Sequence, residues 1–258
     1  MSFSADARGT LDFDGEPVGE LATRWQLAAV HAFGAVGSTL DVAHALAPAA
    51  TSGTLILADE QTAGRGRHGR RWASAAHAGV WLSLIERPTD ARALDVLALR
   101  CGLYAAEVLD DLAGATVRVK WPNDLYVGDR KLAGTLIETR WRGTAPEWVA
   151  IGFGLNVTAP DLDSGIGLAA GADRLAALDR VVPALRRAAA ASRHLSESEL
   201  ARWRARDLSV GRDVTEPRAG IVQGISAAGE LLIAAEGGGR ISAFRSGSLT
   251  FAAPLSCS

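Results

Sequence analysis

The stretch QTAGRGRHGRRW, residues 61–72, lies between two apolar runs and decides how the central part of the chain is organised. The runs TLILA, residues 54–58, and VWLSLI, residues 80–85, have the length and apolar content of buried β-strands. The stretch also contains glycines that allow backbone N–H groups to approach a ligand closely, at Gly64, Gly66 and Gly69. We therefore predict a loop held between two strands of a sheet, which is a common setting for a binding site.

The same loop carries four arginines, whose forked guanidinium groups suit a carboxylate or a phosphate, at Arg65, Arg67, Arg70 and Arg71. A basic segment rich in glycine and arginine has two other interpretations, a solvated linker or a patch that contacts RNA. The loop alone does not separate these three possibilities, so the rest of the chain has to decide among them.

The composition predicts a globular protein with a large core. The chain has 258 residues, of which 48% are hydrophobic, and this favours one large domain with a small one. Its 27 Lys and Arg against 29 Asp and Glu give a net charge of -2, so the loop arginines are a local basic feature on a near-neutral protein. This balance disfavours non-specific DNA binding.

The cysteines and the N-terminus further limit the class of protein. Cys101 and Cys257 provide neither a disulfide framework nor metal-ligand spacing, and we interpret them as a buried apolar residue and a thiol in a frayed tail. The N-terminus lacks the pattern of a signal peptide, and no apolar run approaches the ~20 residues of a membrane span. These features predict a cytoplasmic protein that binds neither a membrane nor a metal of its own.

Upstream of the loop, residues up to about 21 mix Asp, Glu, Gly and Pro and are expected to form a loosely attached preface. They are too few for a three-helix DNA-binding domain. An apolar segment at 24–36 precedes Ser38 and Thr39, which can cap a helix predicted over 40–46. For both hydroxyl residues, capping alone is the alternative to ligand binding, and His44 is interpreted as a surface or core residue.

Downstream, a helix predicted over 92–112 precedes a strand that Pro122 stops, so that Asn123 and Asp124 project from a strand end. Lys131 then begins a strand beside Ala133 and Gly134, whose small size allows a ligand or a backbone to approach. The alternative for this lysine is a solvated charge at a strand end.

The remainder of the chain changes from strand to helix and back to strand. A buried strand is predicted over 148–157, and alanine-rich helical patterns follow over 171–206. From about residue 211 the chain consists of short apolar runs separated by Gly, Ser and Ala, which predicts a small β-barrel or SH3-like module.

Five motifs in one order resemble the biotin-protein ligase family, also called biotin-[acetyl-CoA-carboxylase] ligase, in its form without an N-terminal DNA-binding domain. They are GSTxD (37–41), QTAGRGRHGRRW (61–72), KWPND (120–124), KLAGTLIE (131–138) and GFGLNV (152–157). The resemblance implies an α+β fold, with a class II synthetase-like mixed sheet flanked by helices and followed by a small SH3-like β-barrel. It also implies a preface over 1–22, a catalytic biotin- and ATP-binding domain over 23–208 and a C-terminal module over 209–258.

The resemblance further implies that biotin and MgATP form biotinyl-5′-adenylate, and that a lysine of the biotin carrier domain of an acyl-CoA carboxylase then accepts the biotin. It assigns catalysis to Arg67, Lys131 and Asp124, with Asp124 a candidate to orient or deprotonate the acceptor lysine. The implied ATP contacts are Arg70, Trp72, Asn123 and Lys131, with Mg²⁺ bound through the ATP phosphates. The implied biotin contacts are Ser38, Thr39, Leu40, Gln61, Gly64, Arg65, Gly66, Arg67 and Lys131.

One position departs from the family pattern, because Leu40 stands where the family usually has asparagine. If position 40 lines the biotin pocket, a polar contact is lost; alternatively, Leu40 is the first apolar residue of its helix and points into the core. This departure leaves room for a lipoate or octanoate ligase or transferase of the same superfamily. A non-catalytic biotin-binding protein and an RNA-binding protein are the remaining alternatives.

Overall fold

The structure of the protein is a computed structural model that describes residues 9–235, 237 and 239–253. Cys257, interpreted above as a thiol in a frayed tail, lies outside the described residues. Cys101 is buried in a helix, as its apolar surroundings predict.

Strands and helices alternate irregularly along the described chain. The helices are α1 (Val18–Arg24), α2 (Thr39–Leu46), α3 (Ala91–Leu94), α4 (Leu97–Ala113), α5 (Arg174–Ala190) and α6 (Glu197–Arg206). The strands before α5 are β1 (Asp12–Phe13), β2 (Glu16–Pro17), β3 (Ala29–Val36), β4 (Thr54–Gln61), β5 (Gly79–Glu86), β6 (Arg118–Lys120), β7 (Asp124–Val127), β8 (Arg130–Arg142) and β9 (Ala145–Asn156). The strands after α6 are β10 (Asp213–Glu216), β11 (Gly220–Ile225), β12 (Leu231–Ala234), β13 (Ile241–Phe244) and β14 (Thr250–Phe251).

A seven-stranded mixed sheet forms the centre of the protein, with strand order β3-β4-β5-β9-β8-β7-β6. Only β3 and β4 pair in parallel, and the other neighbours pair antiparallel. All eight residues of β5 are buried, which explains why the sequence over 79–86 is almost continuously apolar. The predicted mixed sheet flanked by helices is therefore confirmed.

Helices cover both faces of this sheet, and alternate residues of β4 show how the faces differ. Leu55 and Leu57 belong to the main core, which includes residues of α4 and α5, whereas Ile56 and Ala58 belong to a second core that includes residues of α2. Successive side chains of a strand point to opposite faces, so α2 lies on the face opposite α4 and α5. The N-terminus of α2 thereby reaches the loop that follows β4.

Three glycines share one face of the sheet at its most extensively paired position. Gly134 of β8 pairs with Gly154 of β9, and Gly152 lies two residues before Gly154 on the same strand. Residues two apart on a strand point to the same face. The sheet consequently has a groove without side chains across β8 and β9.

The N-terminal residues are attached more firmly than the sequence analysis expects. Phe13 is 3% exposed and Leu21 is fully buried, and both belong to the main core. The guanidinium of Arg174 in α5 lies over the Phe13 ring and pairs with the carboxylates of Asp14 and Asp59. The prediction of a loosely attached preface is therefore wrong for residues 9–21, because their few apolar and acidic side chains have long-range partners that local composition does not reveal.

The C-terminal strands form an antiparallel sheet of order β13-β12-β11-β10-β14, in agreement with the short strands predicted there. This sheet contributes Val214, Leu231 and Leu249 to the main core. The Trp121 indole donates a hydrogen bond of 3.0 Å to the Gly229 carbonyl, which joins the end of β6 to the turn before β12. The C-terminal sheet is thus packed against the central sheet close to the predicted site.

Candidate active site

A single cavity brings together the motifs that lie far apart in the sequence. The predicted site residues that line it are Ser38, Thr39, Leu40, Gln61, Arg65, Gly66, Arg67, Arg70, Trp72, Asn123, Asp124 and Lys131. Gly64 lies behind this lining, where a Cβ atom would stand 2.5 Å from the Trp72 carbonyl oxygen and 2.8 Å from Ser74 Oγ. No larger residue fits there without moving the loop.

Hydrogen bonds fix the polar wall of the cavity at the N-terminus of α2. Ser38 Oγ accepts from the Leu40 amide at 3.3 Å and caps the helix. The Thr39 amide and hydroxyl both donate to Gln61 Oε1, at 2.9 and 3.1 Å, and Gln61 Nε2 donates to Ser74 Oγ at 2.8 Å. Capping and cavity lining are therefore not alternatives for Ser38, which does both, whereas Thr39 is the first residue of the helix and lines the cavity without capping.

Leu40 lies between the cavity and the second core. Its side chain is 4% exposed and packs with Ile56 and Ala150 in that core. Its branched end also lies directly over Gly152, since a Cβ atom there would meet Leu40 Cδ1 at 3.0 Å. Leu40 thus points into the core, as one of the two possibilities has it, and also gives the groove an apolar border, while its contact with biotin stays a prediction.

The glycine–arginine loop, residues 61–72, is a closed turn with a narrow stem. The Gly66 amide donates to the Arg70 carbonyl at 2.7 Å, and the Trp72 amide donates to the Gly64 carbonyl at 2.9 Å. At the tip, His68 and Gly69 have φ values of 55° and 72°, a left-handed conformation that turns the chain sharply. The predicted loop between two strands is confirmed.

The four loop arginines differ in their partners. Arg65 pairs with the carboxylates of Asp41 and Glu138, and Arg71 donates to the Thr62 carbonyl at 2.8 Å. Both guanidinium groups are therefore engaged by the protein. Arg67 and Arg70 lie at the tip, and no described carboxylate forms an ion pair with either of them.

Arg67 is held at the junction of the two sheets. Its Nη1 atom donates to the Gly247 carbonyl at 3.2 Å and contacts Asn123 Oδ1 at 3.5 Å. Burial lowers the pKa of the Arg67 guanidinium, the Asp124 carboxylate opposes this effect, and Arg70 adds to it. A partly desolvated cation with neutral partners is well suited to bind an anion.

Lys131 and Asp124 form an ion pair beside Trp72. Lys131 Nζ lies 2.7 Å from Asp124 Oδ1 and 4.9 Å from the centre of the Trp72 ring. The indole lies over the glycine groove, because Cβ atoms at Gly154 and Gly134 would stand 2.6 and 3.2 Å from its ring atoms. The sequence pattern correctly brings Lys131 and Asp124 to one site, and the ion pair rules out a simple solvated lysine.

Sequence reasoning missed several residues of the cavity. Lys120 lines it, and its ammonium lies 5.0 Å from the Phe251 ring and 5.6 Å from the Tyr126 ring. Burial lowers the pKa of Lys120, and the neighbouring Lys131 and Arg70 add to this effect against the attraction of Asp124. The position of Lys120 directly before the Trp-Pro-Asn-Asp run was the signal that could have identified it.

The C-terminal sheet also contributes to the cavity, through Ser248 and Leu249. No local pattern in the sequence marks these residues, since they approach the loop only through the packing of the two sheets. The cavity therefore has one wall that comes from the small module.

The cavity offers few ligands for a metal ion held by the protein itself. Asp124 is the one carboxylate residue among the described residues that line the cavity, and it is paired with Lys131. Asp14, Asp59 and His77 come close together elsewhere in the described chain, but the Arg174 guanidinium pairs with both of these aspartates. The described lining thus offers one carboxylate, which is already engaged by an ammonium group.

Comparisons with known proteins identify the family. Residues 36–156 match the Biotin/lipoate A/B protein ligase family. The chain is 36% identical over 185 residues to the biotin--[acetyl-CoA-carboxylase] ligase of Mycobacterium tuberculosis, covering 67% of this chain and 68% of that protein. The chain belongs to this ligase family.

Two further relatives are matched over only part of their length. It is 41% identical over 116 residues to the bifunctional ligase/repressor BirA of Escherichia coli, covering 45% of this chain and 36% of BirA. With the BirA of Salmonella typhimurium the identity is 35% over 208 residues, covering 72% of this chain and 63% of BirA. The ligase-family chain thus spans between about a third and two thirds of the length of these relatives.

The fold of the ligase-family chain agrees with solved structures. The biotin protein ligase of Aquifex aeolicus in complex with biotin and ATP superposes with a TM-score of 0.66 at 26% identity, covering 87% of this chain and 98% of that one. A mutant of the same enzyme in complex with biotin gives a TM-score of 0.71 at 25% identity, covering 86% of this chain and 97% of that one.

Among the described residues, no helix has both the length and the apolar character needed to cross a membrane.

Proposed function

We propose that this chain activates biotin with ATP to biotinyl-5′-adenylate and then transfers the biotinyl group to a lysine of a biotin carrier domain. The observation that carries the proposal is the meeting of Arg67, Lys131 and Asp124 over a groove formed by glycines. Relatives named as biotin ligases and a solved relative with biotin and ATP support it. The carrier belongs, on this proposal, to an acyl-CoA carboxylase, and the reaction takes place in the cytoplasm.

The groove suits a ligand with a polar head and an apolar chain. Biotin has a neutral ureido ring, which needs both donors and acceptors in a mostly dry pocket. Ser38, Thr39 and Gln61 provide hydroxyl and amide groups at one end, already oriented by their hydrogen bonds. Leu40, which lies over Gly152, provides apolar surface along the side.

In the first step, a carboxylate oxygen of biotin attacks the α-phosphorus of ATP, and the bond from that phosphorus to the bridging oxygen breaks as pyrophosphate leaves. Two anions must be held together while negative charge accumulates on the leaving group. On this proposal, Arg67 and Lys131 bind the carboxylate and the α-phosphate. Arg70 and Lys120 line the same cavity and would bind the leaving phosphates, with Mg²⁺ carried by the nucleotide.

On the nucleotide side, we assign Trp72 and Asn123 to the adenosine. The Asn123 Nδ2 amide donates to the Thr135 carbonyl at 2.8 Å, which fixes the orientation of the side chain. This leaves Oδ1, whose contact with Arg67 is long at 3.5 Å, as the atom able to accept from an adenine amino group.

In the second step, the amine of the carrier lysine attacks the acyl carbon, AMP leaves with its phosphate oxygen, and the amine loses a proton. Lysine is a nucleophile only in its neutral form, so a base near the acyl carbon accelerates the step. A phosphate oxygen that binds Lys131 competes with Asp124 for the ammonium protons. We propose that this competition releases Asp124 to accept a hydrogen bond from the incoming lysine.

The proposal is tested by the exchange of labelled pyrophosphate into ATP. Adenylation is reversible, so exchange should require biotin, and a carrier domain added with biotin and MgATP should gain the mass of one biotinyl group. Exchange that responds to octanoate or lipoate and not to biotin would instead assign the chain to the other branch of its family. Absence of exchange with all three acids would reject a catalytic function.

A further inference from the structure

We propose that Arg65, which lines the cavity, and three side chains beyond the cavity lining position the glycine–arginine loop, so that the side chain of Arg65 serves the site without binding the ligand. We call this group the Arg65 clasp, and it consists of Arg65, Asp41, His44 and Glu138. The inference rests on the proposed function for its effect on catalysis, but its structural part can be tested without any substrate.

The contacts of the clasp converge on one carboxylate oxygen. Arg65 Nη2 lies 3.0 Å from Glu138 Oε2 and 3.0 Å from Asp41 Oδ1. His44 Nε2 lies 2.6 Å from the same Glu138 oxygen. A single guanidinium nitrogen therefore joins two carboxylates, and the histidine supports one of them from the other side.

The clasp connects three walls of the cavity. Asp41 and His44 lie on α2, whose N-terminus carries Ser38 and Thr39. Glu138 lies on β8, which carries Lys131 near its start, and Arg65 lies on the glycine–arginine loop. Fixing the relative positions of these three elements also fixes the distance between the polar wall, the lysine and the loop arginines.

His44 can support Glu138 in its neutral form. The Trp148 indole N–H donates to His44 Nδ1 at 3.5 Å, so the proton of the neutral ring belongs on Nε2, where it points to Glu138. The His44 hydrogen bond is the largest cause that lowers the pKa of Glu138, burial opposes it, and Arg65 lowers it further. Glu138 is therefore held as a carboxylate that attracts Arg65.

The two ends of the loop differ in what holds them. The stem has the clasp at Arg65, the hydrogen bond from Arg71 to Thr62 and backbone bonds from the Thr62 and Ala63 amides to the Val36 and Gly37 carbonyls. At the tip, the side-chain contacts are those of Arg67 with Gly247 and Asn123, which are neutral partners. The stem is thus positioned by the protein before an anion binds. Without the clasp, ligand binding would also have to order the stem, which weakens apparent affinity.

The matched variants are Arg65→Met, Glu138→Gln and, as control, Arg140→Met. Methionine keeps much of the arginine stem while it removes the charge, and glutamine keeps the shape of Glu138. Arg140 is exposed on the same strand as Glu138, and no described residue pairs with its side chain. The Arg65 side chain is 38% exposed, so its replacement should not prevent folding.

The decisive measurement is hydrogen–deuterium exchange of the amides of residues 62–66 in the protein without substrates. We expect faster exchange in Arg65→Met and Glu138→Gln, no change in Arg140→Met, and partial protection in Arg65→Lys, which retains the charge. Unchanged exchange in both clasp variants would overturn the proposal. If Glu138→Gln fails to fold, Arg65→Met and Arg65→Lys decide the matter alone.

Kinetics then separate positioning from direct catalysis. We expect the clasp variants to raise KM for biotin or ATP by roughly 5–30-fold, the factor that corresponds to one or two kcal/mol, with kcat reduced much less. A large loss of kcat with unchanged exchange would show that Arg65 acts on the reacting groups and would reject the clasp. The wild type could show no biotin-dependent activity while the clasp variants still exchange faster. That result would retain the clasp and reject the proposed function.

Discussion

Replacing Leu40 by asparagine tests how one residue borders both the groove and the core. The side chain is 4% exposed, packs with Ile56 and Ala150, and lies over Gly152. Asparagine has nearly the same branched shape, so the change substitutes polar atoms without opening a large cavity. The backbone contribution is retained, because Ser38 Oγ accepts from the amide of residue 40 whatever its side chain.

The magnitude follows from two terms. Replacing the buried leucine branch by a polar group removes about 1.5–3 kcal/mol of the stabilisation that comes from burying apolar surface. An amide left there without a hydrogen-bond partner costs about 1–3 kcal/mol. Because the groove can offer a partner to one amide atom, we expect a total loss of about 2–4 kcal/mol in the free energy of unfolding. For a chain of this size, that lowers Tm by about 4–16 °C.

The assay combines a thermal melt with a biotin titration on Leu40→Asn, with Leu40→Met as the control. Methionine preserves apolar volume and should change the free energy of unfolding by less than about 1.5 kcal/mol. We expect the asparagine variant to melt lower and to bind biotin within about threefold of the wild type. An unchanged melt with tighter biotin binding would refute the reasoning, since it would place the side chain in the ligand pocket and not in the core.

Three other changes test separate parts of the site and the fold. Gly154→Ala places a Cβ atom 2.6 Å from the loop indole and should weaken ATP binding at least tenfold, whereas Gly34→Ala, with open space around it, should not; equal affinities in a nucleotide titration would contradict the groove. Lys131→Ala should reduce pyrophosphate exchange by about a hundredfold or more while the free energy of unfolding changes by about 0.5 kcal/mol, and normal exchange would make the lysine a structural charge. Burial alone would raise the pKa of Glu199, but hydrogen bonds led by that from Arg100 outweigh it and bring the pKa to about 2. This depressed pKa stabilises the fold above an unfolded-state pKa of 4.5, and the stabilisation is lost as pH falls from about 4.5 to about 2. Melts at pH 6 and pH 3 should therefore differ less in Glu199→Gln than in the wild type, and an equal difference would exclude Glu199 as a cause.

The parts of the fold that were predicted correctly are those with a local signal. The apolar runs around the loop became β4 and β5, and Ser38 capped α2, because strand burial and helix capping depend on residues close in sequence. Pro122 likewise placed Asn123 and Asp124 at the cavity, since a strand cannot continue through it.

The parts that were missed depend on distant partners. Nothing near Arg65 indicates that its guanidinium turns to Glu138, which lies 73 residues later. The contribution of Ser248 and Leu249 to the cavity follows from the packing of two sheets. The attachment of the N-terminal residues was missed for the same reason, because Asp14 pairs with the distant Arg174. The roles assigned to individual site residues and the domain boundary at 208–209 stay predictions.

The glycine groove has a consequence for attempts to make this protein more stable. Glycine inside a strand costs roughly 0.5–1 kcal/mol relative to alanine, so Gly134, Gly152 and Gly154 together forgo about 1.5–3 kcal/mol in the middle of the sheet. A stability-guided redesign would replace these positions first, and each replacement would fill the space now occupied by the indole or by Leu40. A redesign guided by strand propensity alone would thus select the positions that have to stay glycine, because the space that a Cβ atom would need is already filled.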